Sequence, residues 1–270
     1  MSIKSTNRTI VNSLGIPGIL ALLWYGEEPF AIFITLVIIL ATREFLILTK
    51  VDLQSNVKWI GYLGGLGFCY FYYFLPSVHL YHISLLLVIL IITGFFIEMI
   101  QQSKKVGKNL GLTFLSIFYV GALLSSLIAL RNYDSTNGSY FTITMVLSIW
   151  SCDSAAFYFG TKWGRKKILP TISPNKSWVG CVAGLASSVI IFYFAKHFSI
   201  LDLKLIDVCI LSIISGVFGQ AGDFAESLLK RNADVKDSGT LLLGHGGVLD
   251  RFDSLIFASP LTFYYVHFIL

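Results

Sequence analysis

Carboxylates set among apolar residues are the feature of this sequence that most requires a chemical reason. Asp223-Phe-Ala-Glu226-Ser227 closes a long apolar run, and an ionised side chain there costs roughly 2.5–3.5 kcal/mol if the run crosses a bilayer. The i, i+3, i+4 spacing puts Asp223, Glu226 and Ser227 on one face of a helix. Two carboxylates and a hydroxyl are hard oxygen ligands. Such a set suits Mg²⁺, which keeps waters and takes phosphate oxygens as further ligands. Asp250 and Asp253 repeat the i, i+3 spacing downstream, and two helix ends folded together would bring them to Asp223.

The residues between these carboxylates have the chemistry of anion binding. Lys230, Arg231, Lys236 and Asp237 follow Ser227, and then comes Gly244-His245-Gly246-Gly247-Val-Leu-Asp250-Arg251-Phe-Asp253. Glycines let backbone amides approach an anion closely, as phosphate-binding nests do. A lone GxGG reads as a turn, but with Lys236, His245 and Arg251 around it phosphate handling is the better reading. A second polar stretch, residues 162–177, ends in Ser173-Pro-Asn-Lys176-Ser177 before Trp178. Ser173, Lys176 and Ser177 supply donors for a lipid phosphate or a nucleotide, beside an aromatic suited to headgroup level. Asp153 reads as a group that holds metal, orients a donor or pairs with a loop cation. Arg43, Glu44 and Glu98 fall near predicted span ends, where snorkelling or a local ion pair accounts for them. His79, His82, His197 and His267 have no ligand partner in the sequence.

Helices in a membrane must position these groups. The chain has 270 residues, 55% hydrophobic and 13% charged, where a soluble domain has about 25% charged. Apolar stretches of about 20 residues predict about nine transmembrane helices, near 9–25, 30–49, 59–76, 80–100, 110–130, 141–161, 178–197, 205–226 and 253–270. The fold class expected is all-α, a polytopic integral membrane protein forming one membrane domain over 1–270. Residues 1–140 supply N-terminal helices, and 141–270 supply the catalytic helices and loops. With the N-terminus cytoplasmic, basic residues from Lys4 and Arg8 to Arg251 fall on inner segments, and only Arg131, Lys196 and Lys204 fall outside. The net charge of +5 therefore marks topology and anionic headgroups rather than nucleic acid. Cys69, Cys152, Cys181 and Cys209 lack CxxC spacing and are expected as reduced packing residues. The first apolar stretch reads as a retained anchor, since no clear cleavage site follows it. No internal repeat is visible, which weighs against an ion-coupled transporter.

The stretch from Ser227 to Asp253, with Gly222-Asp223 before it and Gly160, Gly164, Ser173, Pro174, Lys176 and Trp178 upstream, resembles the phosphatidate cytidylyltransferase (CDP-diacylglycerol synthase) family. The resemblance is strongest over about 150–260 and elsewhere lies in the span layout. The family usually has proline where Leu243 stands and glutamate where Val179 stands. The resemblance implies a nucleotidyltransferase of phospholipid biosynthesis in which a phosphatidic acid oxygen attacks the α-phosphorus of CTP. Under it, Asp223 and Asp250 are the expected principal Mg²⁺ ligands, with Glu226 and Asp253 beside them and a second metal ion allowed. Lys230, Arg231, Lys236 and Arg251 are the phosphate clamps, His245 either orients a phosphate or shapes the turn, and Ser173, Lys176, Ser177, Ser227, Gly244, Gly246, Gly247 and Asp153 line the substrates. Expected partners are CTP, phosphatidic acid and membrane lipids, with a homodimer left open. The expected location is a bacterial inner membrane with the site on its cytoplasmic side. A CTP-dependent enzyme acting on another lipid phosphate or a polyprenol is the alternative within this chemistry.

Overall fold

The computed structural model describes residue 15 and residues 17–51, 55–74, 79–134, 137–239 and 246–270. Helix α1 (residues 17–25) is followed by α2 (Glu27–Leu48), α3 (Lys58–Tyr73), α4 (Leu80–Ile100) and α5 (Val106–Ser116). A π-helical segment, Ile117–Ala122, joins α5 to α6 (Leu123–Arg131). Then come α7 (Asn137–Trp163), α8 (Trp178–His197) and α9 (Leu205–Ile213). A second π-helical segment, Ile214–Phe218, joins α9 to α10 (Gly219–Asn232), and α11 (Leu249–Phe268) comes last. Among the described residues five stretches are long and apolar enough to cross a membrane: Glu27–Leu48, Leu80–Ile100, Val106–Arg131, Trp178–His197 and Leu205–Asn232. Helices α3, α7 and α11 coincide with the predicted spans 59–76, 141–161 and 253–270. Lys4, Arg8 and the first part of the predicted first span lie outside the described residues.

The packing is that of a bundle in lipid. Phe30, Ile34, Ile38, Ala41 and Phe45 recur every three to four residues along α2 and are buried, which makes one apolar stripe face the bundle. They join Leu124, Leu127 and Ile128 of α6 and Ile256 and Phe263 of α11 in one core. The opposite face of α2 exposes Ile32 and Leu36, as suits a surface solvated by acyl chains. All four cysteines are free thiols, with Cys69 and Cys152 buried in the packing.

Polar contacts collect at the two ends of the bundle. At one end, buried Arg131 donates to Leu23 O at 2.5 Å and Trp24 O at 2.8 Å, and Lys196 donates to Leu203 O. Tyr265 there donates to Asp207 Oδ1 at 2.6 Å. Arg131, Lys196 and Lys204, the basic residues predicted for the outer side, thus share that end; the Arg131 and Lys196 side chains are held by backbone carbonyls, and Lys204 is exposed with its backbone N–H on Asp207. At the other end α2, α10 and α11 meet the loop after α7.

Two helices run further than expected. Helix α10 reaches Asn232, so Lys230 and Arg231 sit in its last turn rather than in a loop, where cations suit the negative helix end. Helix α11 starts at Leu249, which puts Asp250 in its first turn, where an anion suits the positive end. Reading the spans from apolar residues alone ended them where the polar helical turns begin.

The two helices touch backbone to backbone at Gly222. A Cβ there would come within 3.2 Å of Ser254 Cα and of the Asp253 carbonyl carbon, neither of which is a flexible side-chain end. Gly222→Ala is therefore expected to destabilise the protein by about 1–3 kcal/mol, the usual scale for overpacking. Thermal unfolding in detergent checks this, and an unchanged midpoint would show that α10 and α11 part freely here.

Candidate active site

The site is built where α10 passes α11. Lys230 lies between two carboxylates, with Nζ 2.5 Å from Glu226 Oε2 and 2.6 Å from Asp250 Oδ1. Glu226 is wholly buried and its Oε1 receives no hydrogen bond from the described residues. One turn earlier Asp223 pairs with Lys176, which reaches it from the loop after α7. Ser227 donates to Asp223 Oδ1 at 3.3 Å. Asp153 on α7 and Asp253 on α11 both feel the field of Asp223, so these three carboxylates share one neighbourhood with Lys176. Two adjoining clusters result: Asp153, Asp223 and Asp253 with Lys176, and Glu226 and Asp250 with Lys230. They adjoin along α10, where Glu226 follows Asp223 by three residues on the same helical face.

A π-helical turn sets the face that α10 presents. The extra residue in such a turn rotates everything after it, and π-bulges are frequent at functional sites. Gln220 repairs the backbone that the bulge disturbs, its Nε2 donating to Gly216 O at 2.5 Å and to Cys181 O at 3.3 Å. The amide thereby ties the bulge to α8 just before the carboxylate face begins.

The loop after α7 folds into a tight hairpin that presents Lys176. Ile168 N donates to Lys176 O at 3.2 Å and Trp178 N to Lys166 O at 3.1 Å. The Lys176 ammonium also lies 4.4 Å from the centre of the Phe224 ring, which favours a cation over its face. Arg231 reaches the same loop, its Nε donating to Ile172 O at 3.2 Å.

Asp250 and Glu44 order the start of α11. Asp250 Oδ2 accepts from Ser238 N at 3.0 Å, Ser238 Oγ at 3.0 Å and Gly247 N at 2.7 Å. This leaves Oδ1, the atom on Lys230, as the one turned to the site. Glu44 comes from α2, is 5% exposed, and accepts from Val248 N at 2.9 Å, Leu249 N at 2.8 Å and Ser238 Oγ at 3.1 Å. The first amides of a helix have no partner within it. A carboxylate on them satisfies two orphan donors and suits the positive helix end. Gly246 has φ +82°, a left-handed conformation that glycine adopts without steric strain.

Glu44 corrects the expectation of snorkelling or a local ion pair. Among the described residues its partners are backbone amides and a hydroxyl about 200 positions away in sequence. A glutamate inside the predicted span 30–49 was the one available signal, and it did not reveal the partner.

The predicted residues divide into those that converge and those used elsewhere. Asp153, Lys176, Asp223, Glu226, Ser227, Lys230, Asp250 and Asp253 come together. Ser177 is 2% exposed and its Oγ accepts from Gly180 N at 3.3 Å as the N-cap of α8, so the hydroxyl starts that helix. Ser173 takes part through its backbone, accepting from Lys176 N at 3.4 Å. Lys236 and Arg251 are exposed. Gly247 contributes its amide to Asp250, while Leu243, Gly244 and His245 lie outside the described residues.

A divalent cation is compatible with this donor set, though no ready ligand cage exists. Among the described residues no three His, Cys, Asp or Glu side chains form a metal-holding group. Every acidic donor is nevertheless an oxygen, Glu226 Oε1 is buried without a partner, and lysine ammonium groups supply the positive charge between the carboxylates. That is the chemistry a hard cation takes.

The chain is similar to a phosphatidate cytidylyltransferase of Bacillus subtilis, 33% identical over 243 residues covering 88% of this chain and 89% of that protein. A phosphatidate cytidylyltransferase of Haemophilus influenzae is 35% identical over 156 residues, 56% of this chain and 54% of that protein. One of Staphylococcus saprophyticus is 42% identical over 147 residues, 54% of this chain and 55% of that protein. Residues 6–269 match the Cytidylyltransferase family, nearly the whole chain including both carboxylate clusters, and this multi-pass helical protein belongs to that family.

Proposed function

We propose that the chain transfers CMP from CTP to phosphatidic acid, giving CDP-diacylglycerol and pyrophosphate. The observation that carries this reading is that Asp223 and Asp250, each paired with a lysine, stand in adjoining clusters where α10 passes α11. A lipid phosphate and a soluble nucleotide can both reach such a place. A non-bridging oxygen of the phosphatidate phosphate forms a bond to the α-phosphorus, the bond from that phosphorus to the oxygen leading to the β-phosphorus breaks, and pyrophosphate leaves with that electron pair. The attacking phosphomonoester is already largely ionised near pH 7, with a second pKa of about 6, so no strong general base is needed.

Lys176 and Lys230 supply positive charge toward phosphate oxygens of the two substrates, and positioning with charge neutralisation is the main catalytic effect, as in other phosphoryl chemistry. Asp223 with Asp253, and Asp250 Oδ1 with Glu226, are the groups that would hold Mg²⁺. When bound, the ion neutralises charge on attacking and leaving oxygens. Ser227 keeps Asp223 in place, and Arg231 keeps the Lys176 loop against α10. The asymmetry of basic residues supports a bacterial inner membrane location with this end toward the cytoplasm.

The deciding experiment supplies the full chain in lipid nanodiscs with labelled CTP and phosphatidic acid. Label is expected in a lipid-soluble CDP-diacylglycerol product, with one pyrophosphate per lipid, lost on chelation and restored by Mg²⁺. No lipid-linked CMP under any of several divalent cations would refute the reading. Label on an added polyprenyl phosphate but not on phosphatidate would transfer it to the alternative substrate.

A further inference from the structure

Tyr119 is a buried polar group that nothing so far has used. It lies in the π-helical segment Ile117–Ala122, is 9% exposed, and its hydroxyl is buried without a hydrogen-bond partner among the described residues. A phenol buried without a partner costs free energy that a phenylalanine would not. The orphan hydroxyl therefore needs a reason beyond packing.

The surroundings of the ring supply that reason. It packs against Phe45 of α2, with centroids 5.8 Å apart, and edge to face against Phe257 of α11, with centroids 6.2 Å apart and planes at 83°. Phe45 adjoins Glu44 in sequence, and Phe257 is four residues after Asp253, which puts it on the same face of α11. The two rings clamp Tyr119 where the carboxylate clusters end. Glu226, Asp253 and Asp223 all act electrostatically on its hydroxyl. One of those neighbours, Glu226, also has an oxygen without a hydrogen bond. Unpartnered polar atoms on two elements therefore border the same acidic neighbourhood.

We propose that Tyr119 is a substrate-contacting residue whose hydroxyl donates a hydrogen bond to a phosphoryl oxygen of the nucleotide held at the two carboxylate clusters. This rests on the functional reading above and adds to it a group from the N-terminal half of the chain. A neutral donor suits the place, because another fixed positive charge would compete with Lys176 and Lys230 for the same carboxylates. The π-helical turn is what allows a residue of the α5–α6 span to project there, since it shifts the helical register by one residue. Among the described residues the hydroxyl has no hydrogen-bond partner, so its removal should leave folding unharmed.

Tyr119→Phe tests this directly. In nanodiscs the variant is expected to lose at least tenfold in kcat/KM for CTP while its thermal unfolding midpoint stays level or rises. Activity within threefold of the parent would overturn the proposal. A lowered midpoint that accompanies the lost activity would also overturn it, since the hydroxyl would then be holding the fold. Calorimetric titration of CTP with Mg²⁺ into both proteins separates this inference from the reaction assigned. If the parent turned over no phosphatidate, that assignment would fall, while weaker CTP binding by the variant would still support the contact. Equal CTP affinity in the two proteins, or none in either, would count against it.

Discussion

Asp250→Asn is expected to lower CMP transfer by on the order of 10³-fold, the scale on which loss of one preorganised electrostatic partner acts. The carboxylate does two things at once. Its Oδ2 gathers Ser238 N, Ser238 Oγ and Gly247 N, and its Oδ1 pairs with Lys230 at 2.6 Å. Asparagine offers one acceptor oxygen. If that oxygen keeps the loop donors, the amide NH₂ faces the Lys230 ammonium and the charge for a cation is gone. If the amide turns over, its N–H groups face the loop donors. Either arrangement leaves α11 in the membrane, so the variant should insert and purify normally. Turnover near that of the parent by purified protein would remove Asp250 from the site. Asp223→Asn is a useful companion, because Asp223 pairs with Lys176 and not with the loop. Its loss should match the Asp250 effect on rate without loosening the start of α11.

Glu44→Ala should give the second largest effect and a different signature. It strips the acceptor from Val248 N, Leu249 N and Ser238 Oγ inside a buried site. Each buried donor left without a partner costs about 1–3 kcal/mol, so the unfolding midpoint should drop clearly. Activity should fall roughly 10²-fold as well, because Ser238 also holds Asp250 and a misplacement of about 1 Å has that consequence. Glu44→Gln separates the two effects. It conserves shape and one acceptor, so much of the stability should return while Ser238 and the helix amides compete for a single oxygen. Product formation measured beside thermal unfolding checks the pair. Full activity in Glu44→Ala would show that the start of α11 is set without α2.

The site was partly legible because its residues break the local rule. Asp223, Glu226, Asp250 and Asp253 stand out where apolar residues are expected, and their spacing already implied two acidic helix faces. Lys176 and Lys230 are legible in the sequence as binders of phosphate or nucleotide, without their carboxylate partners. Their present partners, Asp223 for one and Glu226 with Asp250 for the other, follow from how the α7–α8 loop and α10 fold back. Ser177 had the right chemistry for a substrate contact. A hydroxyl at the first turn of a helix also has the right chemistry for an N-cap, and the structure uses it so.

Tyr119 and Glu44 show where local reading ends. A tyrosine in an aromatic-rich span is unremarkable until its hydroxyl is seen to lack a partner beside carboxylates from α10 and α11. A glutamate near a span end looks like a snorkelling group until the amides of Val248 and Leu249 are found on it. Both depend on residues more than a hundred positions apart in sequence.

The amino-acid sequence by itself determined the all-helical membrane class, the approximate layout of its apolar stretches and the acidic, basic and glycine-rich character of residues 223–253. Hydrophobic runs, polar exceptions and turn residues act locally, so they can be read along the chain. Only the tertiary structure decided that the carboxylates fall into two adjoining lysine-paired clusters, with Asp250 Oδ2 committed to the loop and Oδ1 turned to the site. It also decided that α2 caps α11 and that a π-helical turn carries Tyr119 to the same end. The physical reason is that buried donors and acceptors must be satisfied by whatever approaches them in space, and which helix approaches is settled by packing.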